Sequence, residues 1–259
     1  MSGLHKELGA AFAHPGVARA YQYRPPYPDE LFDLLERLVV GQPRTVLDVG
    51  AGEGALARPL ARRVDRVDAV DISAAMIEAG RSRPGGDEPN LRWINDAIET
   101  AALDGPYALV TAGASLHWMQ WELTLARLAG VLRPGAFLAV VGSDYVDPPW
   151  DPEVTAIISR HSRNPDFSTA GAGVEQELVT RGLYGVAGAT TTAPVTFRQP
   201  VADYVEHFHS TSSLAREWMP AAEAASFDRA VTDAVLPYAV DGMLEMLVVG
   251  HLTWGRPTV

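Results

Sequence analysis

A glycine-rich segment, VLDVGAGEG at 46–54, offers the most specific chemistry in the sequence. It ends an apolar stretch and leads into a segment of helical composition. Gly50 and Gly52 let the backbone turn tightly and approach a ligand without a Cβ in the way. The free N–H groups and positive dipole end of the following helix would suit a pyrophosphate or an amino-acid carboxylate. Many strand-to-helix turns use glycine, so this segment alone does not identify the ligand.

A single carboxylate, Asp71, follows Gly50 by 21 residues and ends a second apolar stretch. A carboxylate in this position can accept hydrogen bonds from both hydroxyls of a ribose. It could instead cap the next helix, although Ser73 is better placed for that role. Gly50-x-Gly52-x-x-Ala55 also fits a permissive dinucleotide fingerprint. These features indicate an adenosine-containing cofactor, which could be a nicotinamide dinucleotide or a nucleoside sulfonium.

Other combinations of reactive residues fail on spacing. His207 and His209 would point to different faces of a helix, and no acidic cluster lies near them, so we expect no metal site. Gly113-x-Ser115-x-His117 lacks the second glycine of a nucleophile elbow. The chain has no cysteine, which excludes thiolate nucleophiles, disulfides and Cys-ligated zinc.

The elements that must position these residues alternate along the first half of the chain. Five short apolar segments predict strands, at 45–49, 66–71, 91–96, 107–112 and 136–141. Helical periodicity or composition lies beside them, at 29–40, 54–64, 73–83 and 121–132. Apolar strands separated by helical crossovers are typical of a parallel sheet covered on both faces. The sequence therefore predicts a doubly wound α/β fold, with ligands at the carboxyl ends of the strands.

From residue 144 onward the pattern changes. Helical stretches are expected near 151–162, 174–182, 201–218 and 221–236. We divide the chain into an N-terminal lid with helices (1–40), a cofactor-binding core (41–143) and a third part (144–259). The third part would be a helical cap over about 144–236, with edge strands at about 190–199 and 243–254 that complete the sheet.

The composition limits the classes of partner. Of 259 residues, 21 are Lys or Arg and 32 are Asp or Glu, which gives a net charge of −11. Such a chain repels nucleic acid and anionic membranes. We find no signal peptide and no apolar run long enough to span a membrane. We therefore expect a cytoplasmic protein that acts on a small molecule, and the Arg-rich, Lys-poor composition favours a bacterial source. The oligomeric state is left open.

Five segments together resemble the class I S-adenosylmethionine-dependent methyltransferases. LDVGAGEG, DAVDIS, INDAIE, ASLHWM and LRPGAFL occur in the order and spacing of that family. The resemblance covers about 12–142 and is closest to the small-molecule branch called type 11, which includes trans-aconitate methyltransferase-like proteins. The segments 12–28 and TWGRP (253–257) also resemble that branch. The resemblance implies a Rossmann-like, mostly parallel sheet of seven strands with a helical cap, and S-adenosyl-L-methionine as cofactor.

The resemblance also implies contacts around the methionine part of the cofactor. Gly50, Ala51 and Gly52 would pass beneath it, and backbone carbonyls of 112–115, including Ser115, would line its side. Asp48 would hold loop amides, or the cofactor's amino group through water, and of these we favour the structural role.

At the other end of the cofactor, the resemblance implies contacts to the nucleoside. Asp71 would hold the ribose, and Ile72 would pack on the adenine. Asp96 would accept a hydrogen bond from the adenine amino group, while the Ala97 N–H would bond to the ring.

Four residues are candidates near the methyl acceptor. Tyr21 and Arg24 would belong to a lid over the cofactor, or Arg24 would pair with a substrate carboxylate. His117 would touch the substrate or act as general base, but it could also fix the 113–121 loop by a hydrogen bond. Trp118 would form the pocket floor rather than bind a cation.

The expected reaction is methyl transfer to an oxygen or nitrogen of a small organic molecule, a carboxylate included. Two alternatives stay open. One is an S-adenosylmethionine-binding protein without methyl transfer, and the other is a nicotinamide-dependent oxidoreductase.

Overall fold

The computed structural model describes residues 8–164 and 173–258, which fall into two compact units. The unit that we call the sheet unit comprises 27–144, 173–193 and 249–258. The unit that we call the helical unit comprises 8–26, 145–164 and 194–248. The eight strands described are β1 (Thr45–Val49), β2 (Arg66–Asp71), β3 (Leu91–Asn95), β4 (Leu109–Gly113), β5 (Leu138–Tyr145), β6 (Tyr184–Thr191), β7 (Val195–Pro200) and β8 (Met243–Pro257).

The sheet confirms the predicted architecture. Over the described residues, seven strands run in the order β3-β2-β1-β4-β5-β8-β6. Neighbouring pairs from β3 through β5 are parallel, and β6 is antiparallel to β8. The result is the mostly parallel, seven-stranded sheet expected from the sequence. Strand β7 pairs antiparallel with the 243–248 part of β8, which adds an eighth strand off this path.

Both faces of the sheet are covered, because the strands are apolar on both sides. Successive side chains of β1 point to opposite faces, and Val46 and Leu47 accordingly belong to two different core clusters. One cluster includes Leu31 and Leu60, and the other includes Leu125. The helices of the sheet unit are α2 (Asp29–Leu38), α3 (Ala57–Ala61), α4 (Ala74–Arg81), α5 (Trp121–Val131) and α7 (Val174–Thr180).

The helical unit has an aromatic-rich core of its own. Trp150, Tyr204, Phe208 and Phe227 are buried in one cluster, and the Trp150 indole N–H donates to the Tyr204 hydroxyl at 2.9 Å. The helices of this unit are α1 (Pro15–Ala20), α6 (Asp151–His161), α8 (Val201–Phe208) and α9 (Ala221–Val235).

Several predicted helices are shorter in the structure. The helix expected over 54–64 is α3, Ala57–Ala61, because Gly54 has a φ of 77° and belongs to a turn. The helix expected over 201–218 ends at Phe208, and a separate 3-10 turn follows at Arg216–Trp218. Ser73 caps α4 as expected, since its hydroxyl accepts from the Met76 N–H at 3.2 Å.

The boundaries of the three predicted parts also differ from the two observed units. Helix α2 groups with the sheet unit, although the sequence places it in the N-terminal lid. The edge strand expected over about 190–199 is two strands, β6 and β7, which pair with different parts of β8. Whether the helical unit acts as a lid and cap stays a prediction.

Candidate functional site

The glycine loop after β1 has a backbone that only glycine adopts readily. Gly50 and Gly52 have φ values of 63° and 57°, in the left-handed region. A Cβ on Gly50 would lie 2.5 Å from the Cβ of Ser115. The Ser115 hydroxyl in turn donates to the Val49 carbonyl at 2.6 Å. The end of β1 and the segment after β4 are therefore locked together where the sequence predicts the methionine part of a cofactor.

Asp71 lies at the end of β2, beside this loop. One carboxylate oxygen accepts from the Gly52 N–H and the other from the Ser73 N–H, each at 2.7 Å. Each carboxylate oxygen has two acceptor directions, so each can accept one more hydrogen bond. Burial raises the pKa of Asp71, and the two backbone hydrogen bonds oppose this shift. The carboxylate can thus accept two adjacent hydroxyls, which is the requirement for a ribose.

The expected nucleoside region contains an exposed apolar side chain and an available acceptor. Ile72 is 75% exposed, so it offers apolar surface that a flat ring could cover. Asp96 uses Oδ1 to accept from the Ala97 N–H at 2.8 Å and from the Thr100 hydroxyl at 2.9 Å. Its Oδ2 has no hydrogen-bond partner among the described residues. Asp96 can therefore accept an amino group, whereas Ala97 would have to share or release its N–H to contact adenine. Both contacts stay predictions.

Asp48 lies inside the sheet unit, with 1% of its surface exposed. It accepts from the Thr111 hydroxyl at 2.8 Å, and the backbone N–H of Ala57, at the start of α3, acts to lower its pKa. Burial raises the pKa of Asp48 to about 7, with a smaller contribution from the charge of Asp71. The bond to Thr111 ties β1 to β4, and the expectation that Asp48 holds the loop amides stays a prediction.

His117 and Trp118 lie in a 3-10 turn after β4, Leu116–Trp118. Both are half-buried, and their ring centroids are 4.7 Å apart. This packing holds the turn, and the roles of His117 as base and Trp118 as pocket floor stay predictions.

Tyr21 and Arg24 lie in the helical unit. The Arg24 guanidinium stacks on the Tyr21 ring at 4.2 Å, and its Nε donates to the Ser210 Oγ at 2.6 Å. Neither Ser210 nor the neighbouring Tyr145 was singled out from the sequence, because no motif marks them. The lid role of this pair stays a prediction.

The histidines of α8 have structural partners. His209 contacts the Leu214 carbonyl at 2.7 Å and Asp228 at 2.8 Å, while His207 contacts the Tyr204 carbonyl. Over 8–164 and 173–258, no three His, Cys, Asp or Glu side chains come together as a metal site. In the same residues no helix combines the length and the hydropathy needed to cross a membrane.

Residues 46–135 match the family profile described as a methyltransferase domain. The chain is 41% identical over 110 residues to an uncharacterised methyltransferase of Mycobacterium tuberculosis, which covers 42% of this chain and 55% of that protein. It is 36% identical over 120 residues to a trans-aconitate 2-methyltransferase of Rhodopseudomonas palustris, which covers 45% of each chain. The chain thus spans about half the length of the curated relatives it matches.

Two solved structures share the fold over nearly the whole chain. A proposed type II methyltransferase from Anaeromyxobacter dehalogenans has a TM-score of 0.62 at 24% identity and covers 90% of this chain and 97% of its own. A methyltransferase from Thiobacillus denitrificans, in complex with S-adenosylhomocysteine, has a TM-score of 0.54 at 14% identity, covering 93% and 96%. At such identities the likeness establishes the Rossmann-like fold.

Proposed function

We propose that this chain, whose residues 46–135 match a methyltransferase-domain profile, is a class I methyltransferase that transfers a methyl group from S-adenosyl-L-methionine to a small organic molecule. The main support is the Asp71 carboxylate, which lies at the end of β2 and is bonded to the Gly52 N–H. A ribose-binding acid joined to a left-handed glycine turn suits an adenosine cofactor whose other end is an amino acid.

The residues around the glycine loop would bind and orient this cofactor. Gly50 and Gly52 would pass beneath the methionine part. Asp71 would accept the ribose hydroxyls, and Ile72 would lose its exposed surface to the adenine. Asp96 would accept the adenine amino group through Oδ2. S-adenosylmethionine, when bound, supplies a methyl group attached to a sulfonium.

Methyl transfer from a sulfonium is an in-line displacement, so the protein contributes mainly by positioning the acceptor and excluding water. An acceptor that is already ionised at neutral pH, such as a carboxylate, needs no general base. A hydroxyl or a protonated amine would gain from one, and His117 would then take the proton. The trans-aconitate 2-methyltransferases among the relatives support a small acid as one acceptor class.

The first test is calorimetric titration of the full chain with S-adenosylhomocysteine, and with NAD as the competing cofactor. We expect micromolar binding of S-adenosylhomocysteine and none of NAD. Asp71→Ala should weaken binding at least tenfold, since two charge-assisted hydrogen bonds to the ribose are lost. Asp87→Ala removes an exposed carboxylate of the same unit and serves as the matched control.

The second test is transfer of a radiolabelled methyl group to a panel of small acids, phenols and amines. Labelled product from any one class supports the proposal and identifies the acceptor. Tight binding of S-adenosylhomocysteine without transfer to any member would favour a binding protein. Binding of NAD instead would favour an oxidoreductase and would refute the cofactor assignment.

A further inference from the structure

Arg24 is a half-buried cation of the helical unit. Its Nε and Nη2 donate to the hydroxyl and the carbonyl of Ser210, at 2.6 and 3.3 Å. Among residues 8–164 and 173–258, no carboxylate pairs with it. Arg216, in the same unit, binds both Glu206 and Asp228. In a chain with 32 acidic residues, an arginine that is oriented but unpaired leaves its Nη1 available for an anionic ligand.

Tyr145, at the end of β5, carries a buried hydroxyl with no hydrogen-bond partner among the described residues. Buried polar groups without a partner are rare in folded proteins, and each calls for an explanation. Arg24 and Tyr145 both border His207: the Tyr145 ring lies 6.1 Å from the His207 ring, and Ser210, which Arg24 contacts, donates to the His207 carbonyl. Burial raises this pKa above its usual value, and the phenol therefore keeps its proton and remains a donor.

The two rings that pack beside Tyr145 carry no charge. The rings of Tyr204 and His207 lie 6.2 and 6.1 Å from the Tyr145 ring, centroid to centroid. Burial lowers the pKa of His207 to about 3, so this histidine is neutral. The Ser210 hydroxyl donates to the His207 carbonyl, which fixes Ser210 beneath Arg24.

The hydrogen-bond donors of Arg24 and Tyr145 indicate which charge the ligand carries. One cation and one neutral hydroxyl can balance a single negative charge. A dianionic phosphate would keep an excess negative charge within 144–259, a segment that already has 7 basic and 15 acidic residues. A carboxylate is a planar monoanion that suits the fork of an arginine.

We propose that Arg24 and Tyr145 together bind the carboxylate of an organic acid, with Ser210 and Tyr21 as positioning residues for the guanidinium. The acid is the methyl acceptor, and this part of the inference rests on the proposed function. Tyr145 is the element that sequence motifs do not signal, and it would add one hydrogen bond to the acid, while the charge of Arg24 makes the site prefer an ionised acid over the neutral amide of the same shape.

The test measures binding of three acid and amide pairs to the full chain by calorimetry: acetate and acetamide, benzoate and benzamide, succinate and succinamide. The variants are Arg24→Gln, Arg24→Lys and Tyr145→Phe. Arg229→Gln and Tyr238→Phe change exposed residues of the same unit and serve as matched controls. Thermal unfolding of each variant is recorded alongside, to separate loss of binding from loss of folding.

We expect at least one acid to bind at least tenfold more tightly than its amide. Arg24→Gln should abolish this preference, Arg24→Lys should restore part of it, and both controls should behave as the parent chain. Tyr145→Phe should weaken binding of the acid about tenfold, the equivalent of one hydrogen bond to a charged group, without lowering the melting temperature.

Equal affinity for acids and amides, absence of binding by every acid, or unchanged binding in Arg24→Gln would each overturn the inference. These outcomes do not depend on the cofactor, because the titrations need no methyl transfer. If the chain binds S-adenosylhomocysteine and methylates amides as readily as acids, the proposed function stands and the carboxylate site does not. If acids bind but no methyl is transferred, the carboxylate site stands and the proposed function does not.

Discussion

The replacement Asp48→Asn measures how strongly burial acts on the carboxyl group beneath the glycine loop. The pKa of Asp48 is raised from 3.8 to about 7 in the folded chain, chiefly by desolvation. Between these two values the folded state holds a proton that the unfolded state has released. The free energy of unfolding must therefore fall as the pH rises through this window, and it should level off above pH 7.

The size of the effect follows from the shift. At about 1.36 kcal/mol per pKa unit, a rise from 3.8 to about 7 corresponds to roughly 4 kcal/mol. Asparagine is neutral at every pH, so Asp48→Asn removes this contribution. Its amide oxygen can still accept from the Thr111 hydroxyl, while the contact to the Ala57 N–H changes by an amount that does not depend on pH. The pH dependence of the unfolding free energy therefore reports on the Asp48 carboxyl alone, because the other effects of the substitution are the same at every pH.

The assay is urea unfolding of the parent chain and of Asp48→Asn from pH 4 to pH 8. We expect the difference in unfolding free energy, variant minus parent, to grow by about 4 kcal/mol across this range. Asp87→Asn, an exposed carboxyl of the same unit, should follow the parent chain. Parallel curves for Asp48→Asn and the parent would show that Asp48 is ionised throughout, and they would refute the desolvation argument.

Three further changes test other parts of the sheet unit. Gly50→Ala should lower the free energy of unfolding in urea by about 1–3 kcal/mol, because Gly50 has a positive φ and an added Cβ would lie 2.5 Å from the Cβ of Ser115. An unchanged unfolding midpoint would argue against this loop geometry. Ile72→Ser should leave the melting temperature unchanged, because the side chain is exposed. The same change should weaken binding of S-adenosylhomocysteine about tenfold in calorimetry, because apolar surface for the adenine is lost. Equal affinity of the variant and the parent chain would remove Ile72 from the site. Asp68→Asn should lower the free energy of unfolding by about 3–5 kcal/mol, because Arg92 and the buried Tyr107 hydroxyl lose the carboxylate that they both bind. A loss below 1 kcal/mol in urea unfolding would contradict that role.

Strands with a strong local signal could be predicted to the residue. β1 and β2 have the predicted bounds, 45–49 and 66–71, because each has a short group of branched apolar residues and is followed by a turn. β6 has no such signal, since its small and mostly exposed residues do not alternate clearly, and its conformation depends on pairing with β8. The local sequence pattern predicts burial well, but it predicts the pairing of strands that are distant in sequence poorly.

The candidate site divides in the same way. Asp71 could be identified because it lies a fixed distance after a glycine turn, so sequence spacing encodes its place at the strand end. Tyr145 could not, because the significance of its hydroxyl depends on which groups surround it after folding. Arg24 lies between these cases. Its residue type predicts a carboxylate partner, but only the folded structure shows that no carboxylate of the described residues pairs with it.

The Asp71 carboxylate bridges two backbone amides, of Gly52 and of Ser73. Because the protein's own hydrogen bonds hold this turn, little chain entropy should be lost if a nucleoside binds there. Association should then be a single kinetic step, with no slow rearrangement of the loop. The same bridge depends on side-chain length: Asp71→Glu would keep the charge but lengthen the arm between the backbone and the two amides.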